Sequence, residues 1–218
     1  MQKTDLKLAL EQRYKKLTPI LVDEIDYKEF ETTKAGIQKA LERLVSTGEL
    51  RRFRKGVYYL PKYSQMLKKE LSLPSESVFI KCYLEKDGKI NGYKTGLSFL
   101  NDIGLTTQVP QNYIFVLNGV TRKKKIELSA AWKPTVLPPK ATVTSENYRY
   151  LQVFDFLENY YDYAEVDEKT VISNLSIYLE SARKMLSRSE LINIMRDYSK
   201  NLILRFLDPK FESLLPEV

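Results

Sequence analysis

Residues 48–61 of this chain contain a cluster of basic side chains. The bases of this stretch are Arg51, Arg52, Arg54 and Lys55, and no acidic residue follows Glu49 within it. Guanidinium and ammonium groups bind phosphate oxygens through charge-assisted hydrogen bonds, and a cluster of them attracts polyanions. The chemistry that these residue types suggest is therefore the binding of phosphate groups.

The residues around these bases predict a β-hairpin that would position them. Gly48 follows a run with helical spacing and is a natural helix stop. The segments on either side of Gly56 are rich in strand formers, and glycine can adopt the positive φ of a tight turn. Pro61 closes the second strand because proline cannot donate to a β-ladder.

Three helices are predicted before the hairpin from the spacing of apolar residues and from capping residues. Helices followed by a basic hairpin are the order of a winged helix-turn-helix, so residues 1–62 are predicted to be such a DNA-binding domain. The helices are residues 4–17 with Thr4 as N-cap, a short one over 26–30 with Asp26 as N-cap, and one from about 33 to 47 capped by Thr32 or Thr33.

The third helix has an apolar inner face and a polar outer face, as a recognition helix requires. Its N-terminal residues Thr33, Lys34 and Gln38 would reach base edges, while Lys39 and Arg43 would meet phosphates. The hairpin bases would lie along the DNA backbone or enter the minor groove. The alternative is that the helix and the hairpin are an ordinary solvated surface.

Composition limits the remaining functions. The chain has no histidine and a single cysteine, Cys82, so histidine-dependent catalysis, histidine metal sites and an internal disulfide are excluded. Net charge is +7.

The N-terminus has no apolar signal region and no apolar run is long enough to span a membrane, so a cytoplasmic location is expected. We predict no enzyme activity, no cofactor and no metal.

The rest of the chain is predicted to be a linker at 63–77 followed by an α+β domain at 78–218. Asp87-Gly88 is a turn signal, and residues 113–117 are a buried strand within a small sheet. Helical spacing dominates from about residue 145 to 207. Residues 1–62 hold 14 basic and 9 acidic residues, whereas residues 63–218 hold 21 and 19, so the positive charge is concentrated at the N-terminal end.

A second basic run follows the predicted strand. Arg122, Lys123, Lys124 and Lys125 are consecutive. They could form a second contact with DNA phosphates or simply a solvated loop, and the sequence does not separate the two.

Aromatic and acidic residues alternate between 148 and 168. Base stacking on a single strand would use such rings, but the interleaved acids would repel phosphate, so core packing or a protein interface is favoured. Four carboxylates could in principle hold a metal, although a solvated surface is the simpler interpretation. They are Asp162, Glu165, Asp167 and Glu168.

Residues 40–61, with the helix end at Gly48, the Arg-Arg strand and the aromatic strand closed by Pro61, resemble the winged-helix region of AbiEi-type antitoxins. The segments Gly96-Leu97-Ser98 with Asn101 and Gly104-Leu105-Thr106-Thr107-Gln108-Val109-Pro110 resemble the C-terminal part of that family. The resemblance covers about residues 1–140 and extends only loosely to the helical tail.

This resemblance implies a transcriptional repressor of its own operon that acts as the antitoxin of a type IV toxin–antitoxin, or abortive infection, system. The partners would be double-stranded operator DNA with inverted repeats and a nucleotidyltransferase-like toxin that is countered without a stable complex. Two alternatives stay open: a stand-alone winged-helix regulator, and a protein-interaction module whose aromatic and acidic helices capture a partner.

Overall fold

The computed structural model describes residues 5–86 and 88–216 and has the α+β class that the sequence predicts, with small sheets and C-terminal helices. The chain divides into two compact units, Met1–Lys81 and Cys82–Val218. The predicted cap Thr4 and Asp87 of the predicted turn lie outside the described residues.

The first unit contains helices around a three-stranded sheet whose strand order is β1-β3-β2, all antiparallel. The side chain of Asp5 caps α1, Asp26 caps the short 3₁₀ helix and Thr33 caps α2. The elements are α1 (Leu6–Arg13), β1 (Ile20–Leu21), 3₁₀ helices at Val22–Glu24 and Tyr27–Phe30, α2 (Lys34–Ser46), β2 (Arg51–Arg54), β3 (Val57–Tyr59), β4 (Lys62–Ser64), β5 (Lys69–Leu71) and α3 (Ser75–Phe79).

Gly48 joins α2 to the sheet. It adopts a left-handed conformation with φ of 81°. The Gly48 and Glu49 amides donate to the carbonyl oxygens of Val45 and Leu44, which is the hydrogen-bond pattern of a Schellman motif. A side chain at this position would be strained, so glycine is what allows the chain to leave the helix and enter β2 directly.

A hydrophobic core lies beneath α2 and the sheet of this unit. Ile37 and Leu41 of α2 are buried, as the predicted inner face requires. They join the buried side chains of Ile20, Leu50 and Tyr58 from the sheet region. The sheet and its helices therefore form one packed body.

The predicted linker at 63–77 is different in the structure. Strands β4 and β5 pair antiparallel as a hairpin, with Ser64 opposite Lys69, and the first unit continues to Lys81. Tyr59 is buried on β3, and burial raises the pKa of its hydroxyl. The segment is largely polar and each strand is only three residues long, so the sequence does not reveal this pairing.

The second unit has a four-stranded sheet in the order β10-β11-β9-β8, in which β11 and β9 are parallel and the other pairs antiparallel. The aromatic residues of α5 form much of its core with the apolar faces of the later helices. Its elements are a π-helix at Ile80–Leu84 that begins in the first unit, β6 (Glu85–Lys86), β7 (Lys89–Ile90), β8 (Gly92–Thr95), α4 (Leu97–Asp102), β9 (Ile114–Leu117), β10 (Lys124–Lys125), β11 (Thr135–Leu137), α5 (Tyr148–Asn159), a 3₁₀ helix at Tyr161–Tyr163, α6 (Glu168–Leu179), α7 (Arg188–Met195), α8 (Lys200–Arg205) and α9 (Pro209–Glu212).

Candidate nucleic-acid interface

The outer face of α2 carries the predicted recognition residues. Gln38, Lys39 and Arg43 are exposed, and within residues 5–86 and 88–216 no ion-pair partner holds either base. Lys39 and Arg43 are four residues apart and therefore lie above one another on the helix. The structure thus leaves one amide and two positive charges of this helix available to solvent.

The N-terminal end of α2 is more constrained than the sequence suggests. The Thr33 hydroxyl accepts a hydrogen bond from the Gly36 amide at 3.1 Å, so this side chain is used as the helix cap. The Lys34 ammonium donates to Asp23 at 2.7 Å. Both partners of this ion pair are largely exposed, so the pair is weak and can exchange for another anion.

Acidic residues surround this end of the helix. Residues 22–31 contain five acids and one lysine. Three of the acids have basic partners: Asp23 pairs with Lys34, Glu24 with Lys81 and Glu29 with Arg13. These pairs reduce the negative field that would otherwise oppose a polyanion near α2.

The β2–β3 hairpin presents its bases at a two-residue turn. Arg54 pairs with Val57 across the hairpin, and Gly56 in the turn has φ of 80°. Lys55 is exposed at the turn and Arg52 is exposed on β2, while Arg54 is half-buried. The hairpin therefore presents two exposed bases, Arg52 and Lys55, rather than the four that the sequence predicts.

Arg51 is the main difference from the predicted site. Its Nε and Nη2 donate to the two carboxylate oxygens of Glu70 at 2.7 and 2.8 Å. Its Nη1 donates to the Gly48 carbonyl oxygen at 3.0 Å. These bonds occupy both edges of the guanidinium, so Arg51 serves to join β2, β5 and the end of α2 and is not available as a free phosphate contact.

The predicted site also omits basic residues of the β4–β5 hairpin. Lys62, at the end of the predicted winged-helix domain, and Lys68 and Lys69, in the predicted linker, are exposed on this hairpin. The whole first unit, Met1–Lys81, holds 17 basic and 11 acidic residues, whereas Cys82–Val218 holds 18 and 17. The adjacent Lys68-Lys69 pair is the sequence signal that could indicate a basic surface here. It is not among the predicted site residues because its segment is predicted to be a linker.

The second basic run lies on the second unit. Arg122, Lys123, Lys124 and Lys125 are all exposed, and none has an ion-pair partner among the described residues. Lys124 and Lys125 form the edge strand β10. A short lysine-bearing edge strand also discourages sheet extension, so this run has a structural purpose besides any contact with phosphate.

The aromatic run is mainly core, as predicted. Tyr150, Phe154 and Phe156 are fully buried, and only Tyr163 is about half exposed at 51%. The Phe154 ring packs edge-on against Tyr198 at a centroid distance of 5.5 Å. These rings are therefore not available as a base-stacking platform.

A buried carboxylate lies among these aromatic side chains. Asp155 accepts a hydrogen bond from the Tyr93 hydroxyl at 2.9 Å. Burial raises the pKa of Asp155 to about 6, against the opposing effects of the hydrogen bond from Tyr93 and the nearby Lys140 ammonium. This network holds α5 against β8.

Three of the four carboxylates considered for a metal have structural partners. Glu165 accepts hydrogen bonds from the amide and hydroxyl of Thr107 and from the Gln108 amide, which lower its pKa to about 2. Asp167 caps α6, and Glu168 pairs with Lys210. Across residues 5–86 and 88–216, no three acidic or cysteine side chains converge in a way that would hold a metal ion.

A helix that crosses a bilayer must be long and predominantly apolar. In the parts of the chain that the structure describes, no helix has both the length and the apolar character needed to cross a membrane.

Comparison with known proteins gives one family assignment. A search of curated proteins found no match to the sequence. Residues 10–175 match the model of a family of unknown function, DUF6088. The matched segment includes α2, both N-terminal hairpins, the four-stranded sheet and α5. The chain therefore belongs to the DUF6088 family.

Proposed function

We propose that this chain is a sequence-specific, DNA-binding transcriptional regulator whose first unit acts as a winged helix-turn-helix. The observation that carries the proposal is that two successive elements, α2 and the β2–β3 hairpin, present exposed polar and basic side chains without partners among the described residues. These side chains are Gln38, Lys39, Arg43, Arg52 and Lys55.

The order of elements supports this proposal. A helix, a strand, two short 3₁₀ helices, a longer helix and a hairpin follow one another, and the early strand β1 pairs with the second hairpin strand β3. In this arrangement α2 would lie in the major groove, with Gln38 reaching a base edge and Lys39 and Arg43 meeting phosphates. The hairpin would be the wing, with Arg52 and Lys55 on the DNA backbone.

The test is a binding assay with the full chain and a duplex taken from immediately upstream of its own coding sequence. The double variant Lys39→Ala/Arg43→Ala should lower affinity and reduce the slope of log affinity against log salt by roughly 0.9 for each lost phosphate contact. The variant Lys184→Gln/Lys200→Gln removes the same charge from exposed sites of the second unit and is the matched control. Equal behaviour of the two variants would refute the α2 interface.

The proposal extends to autorepression and an antitoxin role through the resemblance to AbiEi-type antitoxins at residues 40–61 and 96–110. A regulator of its own operon acts where the DNA is, so the proposal includes a cytoplasmic location. The second unit would counter a nucleotidyltransferase-like toxin without a stable complex. Co-expression with the product of the neighbouring gene tests this role: growth rescue by Cys82–Val218 supports it, and toxicity unaffected by the chain refutes it.

A protein-interaction module is the second candidate. It is favoured by large apolar side chains that the C-terminal helices leave exposed: Ile177 at 69%, Leu204 at 60% and Leu207 at 70%. Capture of a protein partner that is lost in an Ile177→Ser/Leu207→Ser variant, together with no retention of any duplex, would replace the regulator proposal with this one.

A further inference from the structure

We propose that the β4–β5 hairpin, residues 62–71, is a second DNA-contacting arm beside the β2–β3 hairpin, and that Arg51 and Glu70 hold it in position. The inference rests on the proposed function, because it assigns a further contact surface to the same first unit. The arm would bind backbone phosphates through Lys62, Lys68 and Lys69.

The connection between the two hairpins is a bidentate ion pair. Arg51 on β2 donates to both carboxylate oxygens of Glu70 on β5, with side-chain exposures of 37 and 36%. The same guanidinium donates to the carbonyl oxygens of Gly48 and Leu50. A guanidinium group with this many hydrogen-bond partners restricts where β5 can lie relative to β2.

The pair also changes the charge that the arm presents. Glu70 is the one acidic residue between Arg51 and Glu76 in the sequence, and Arg51 neutralises it. Lys62, Lys68 and Lys69 are exposed, and none has an ion-pair partner among the residues that the structure describes. The arm therefore presents three unneutralised positive charges.

The backbone at Lys68 determines which substitution can test this lysine. This lysine has φ of 49°, a left-handed conformation that disfavours residues with a Cβ atom. The turn is otherwise stabilised by the Ser64 hydroxyl, which accepts from the Leu67 amide at 3.2 Å. Glycine or asparagine would adopt this conformation at lower cost, so asparagine is the suitable replacement for Lys68 in a test of its side chain.

The arm also exposes apolar side chains near its tip, with Met66 at 87% and Tyr63 at 55%. Such side chains could instead contact a protein. DNA is favoured because lysines occur on both strands of the hairpin and because the ion pair joins β5 to β2 of the other basic hairpin. A protein partner is one of the outcomes that the experiment distinguishes.

The first experiment compares the full-length double variant Lys68→Asn/Lys69→Gln with the wild type on a generic duplex and on the upstream duplex. Asparagine tolerates the left-handed region, so the midpoint of thermal unfolding should not fall. Affinity should drop roughly tenfold on both duplexes, and the salt slope should fall by about 1.8 for two lost phosphate contacts. Lys184→Gln/Lys200→Gln again controls for net charge. An affinity and slope equal to those of this control would overturn the inference and favour a protein contact at Met66.

The second experiment tests the positioning role of the ion pair. Glu70→Gln removes a negative charge from the basic unit, so charge alone predicts tighter DNA binding. Release of the arm predicts the opposite, a loss of affinity severalfold smaller than that of the double lysine variant. Tighter binding by Glu70→Gln would overturn the positioning role.

The outcomes separate this inference from the proposed function. If the wild type retains neither duplex, the proposed function itself fails. If the wild type binds and Lys39→Ala/Arg43→Ala weakens binding, while the arm variant matches the charge control, only the second arm is refuted.

Discussion

The two units use their polar side chains in different ways. In Met1–Lys81 the unpaired bases lie on the surface of α2 and of two hairpins, above a small apolar core. In Cys82–Val218 a carboxylate is buried among aromatic rings, and the side chain of Glu165 is held by a loop. The first unit therefore leaves charges exposed to solvent, whereas the second uses several of its polar groups to hold its own elements together.

This difference has a direct consequence for mutation. Replacing an exposed base in the first unit should change DNA binding with little effect on stability, because exposed charges contribute little to folding. Replacing a buried residue of the second unit should change stability first. Four tests examine this contrast, from the largest expected effect to the smallest.

Phe154→Ala should have the largest effect. This ring is fully buried and packs edge-on against Tyr198 and Phe206 at centroid distances of 5.5 and 5.6 Å. Removing it should lower the free energy of unfolding by about 3–5 kcal/mol, measured by denaturant titration. Tyr163→Ala, in the same aromatic run but 51% exposed, is the control and should cost far less. Similar losses in both variants would show that the run is not core.

Asp155→Asn should change how stability depends on pH. Burial raises the folded-state pKa of this carboxyl to about 6. Below the unfolded-state pKa, near 4, the carboxyl is protonated in both the folded and the unfolded state, so its burial carries no ionisation penalty. As pH rises from there to about 6, the free energy of unfolding falls by about 3 kcal/mol, because only the unfolded state ionises freely. Tyr93 and Tyr198 face this group, with Lys140 and Glu158 nearby.

The asparagine can still accept from Tyr93 but cannot ionise, so the variant should lose this fall and be more stable than the wild type at pH 7.5. Unfolding midpoints between pH 4 and 7.5 measure the effect. An equally steep fall in the variant would assign the pH dependence to another group.

Arg51→Ala and Arg52→Ala should separate stability from binding within the first unit. Arg51 is held by Glu70 and by backbone carbonyls, so its loss should cost about 1 kcal/mol of stability. Arg52 is exposed on the adjacent position, so its loss should leave stability unchanged and reduce the salt slope of DNA binding. Thermal unfolding and the binding assay on both variants check this. A larger stability loss for Arg52→Ala would reverse the assignment of the two arginines.

Glu165→Gln should have the smallest effect and the opposite pH sign to Asp155→Asn. Hydrogen bonds from Thr107 and Gln108 lower the pKa of Glu165 to about 2. The resulting stability is present above the unfolded-state pKa, near 4.5, and is lost as pH falls toward about 2. The glutamine variant should therefore be slightly less stable than the wild type above about pH 5, and this difference should shrink as pH falls toward 2.5 in circular dichroism melts from pH 2.5 to 7.

Local signals in the sequence predicted a large part of the fold. The cap at Thr33, the helix stop at Gly48, the turn at Gly56 and the strand ending at Leu117 all depend on neighbouring residues and are present in the structure. The apolar face of α2 was predicted from its spacing for the same reason.

The misses depend on residues that are distant in the sequence. Arg51 looked like a hairpin base because its partner Glu70 is 19 residues away, inside a segment assigned to a linker. The burial of Asp155 follows from its contact with Tyr93, which lies 62 residues earlier. Composition and periodicity report neither contact, because both arise only when the elements pack together.

The Arg51–Glu70 pair has a consequence for the family's sequence variation. The guanidinium needs a carboxylate on the opposing hairpin, and the carboxylate needs the guanidinium. Substitutions at positions 51 and 70 should consequently occur together among DUF6088 members. Members in which the 62–71 hairpin is shortened or missing should lack the arginine at position 51. In members that retain the hairpin, positions 51 and 70 should covary, and this covariation should be independent of the residues exposed on α2.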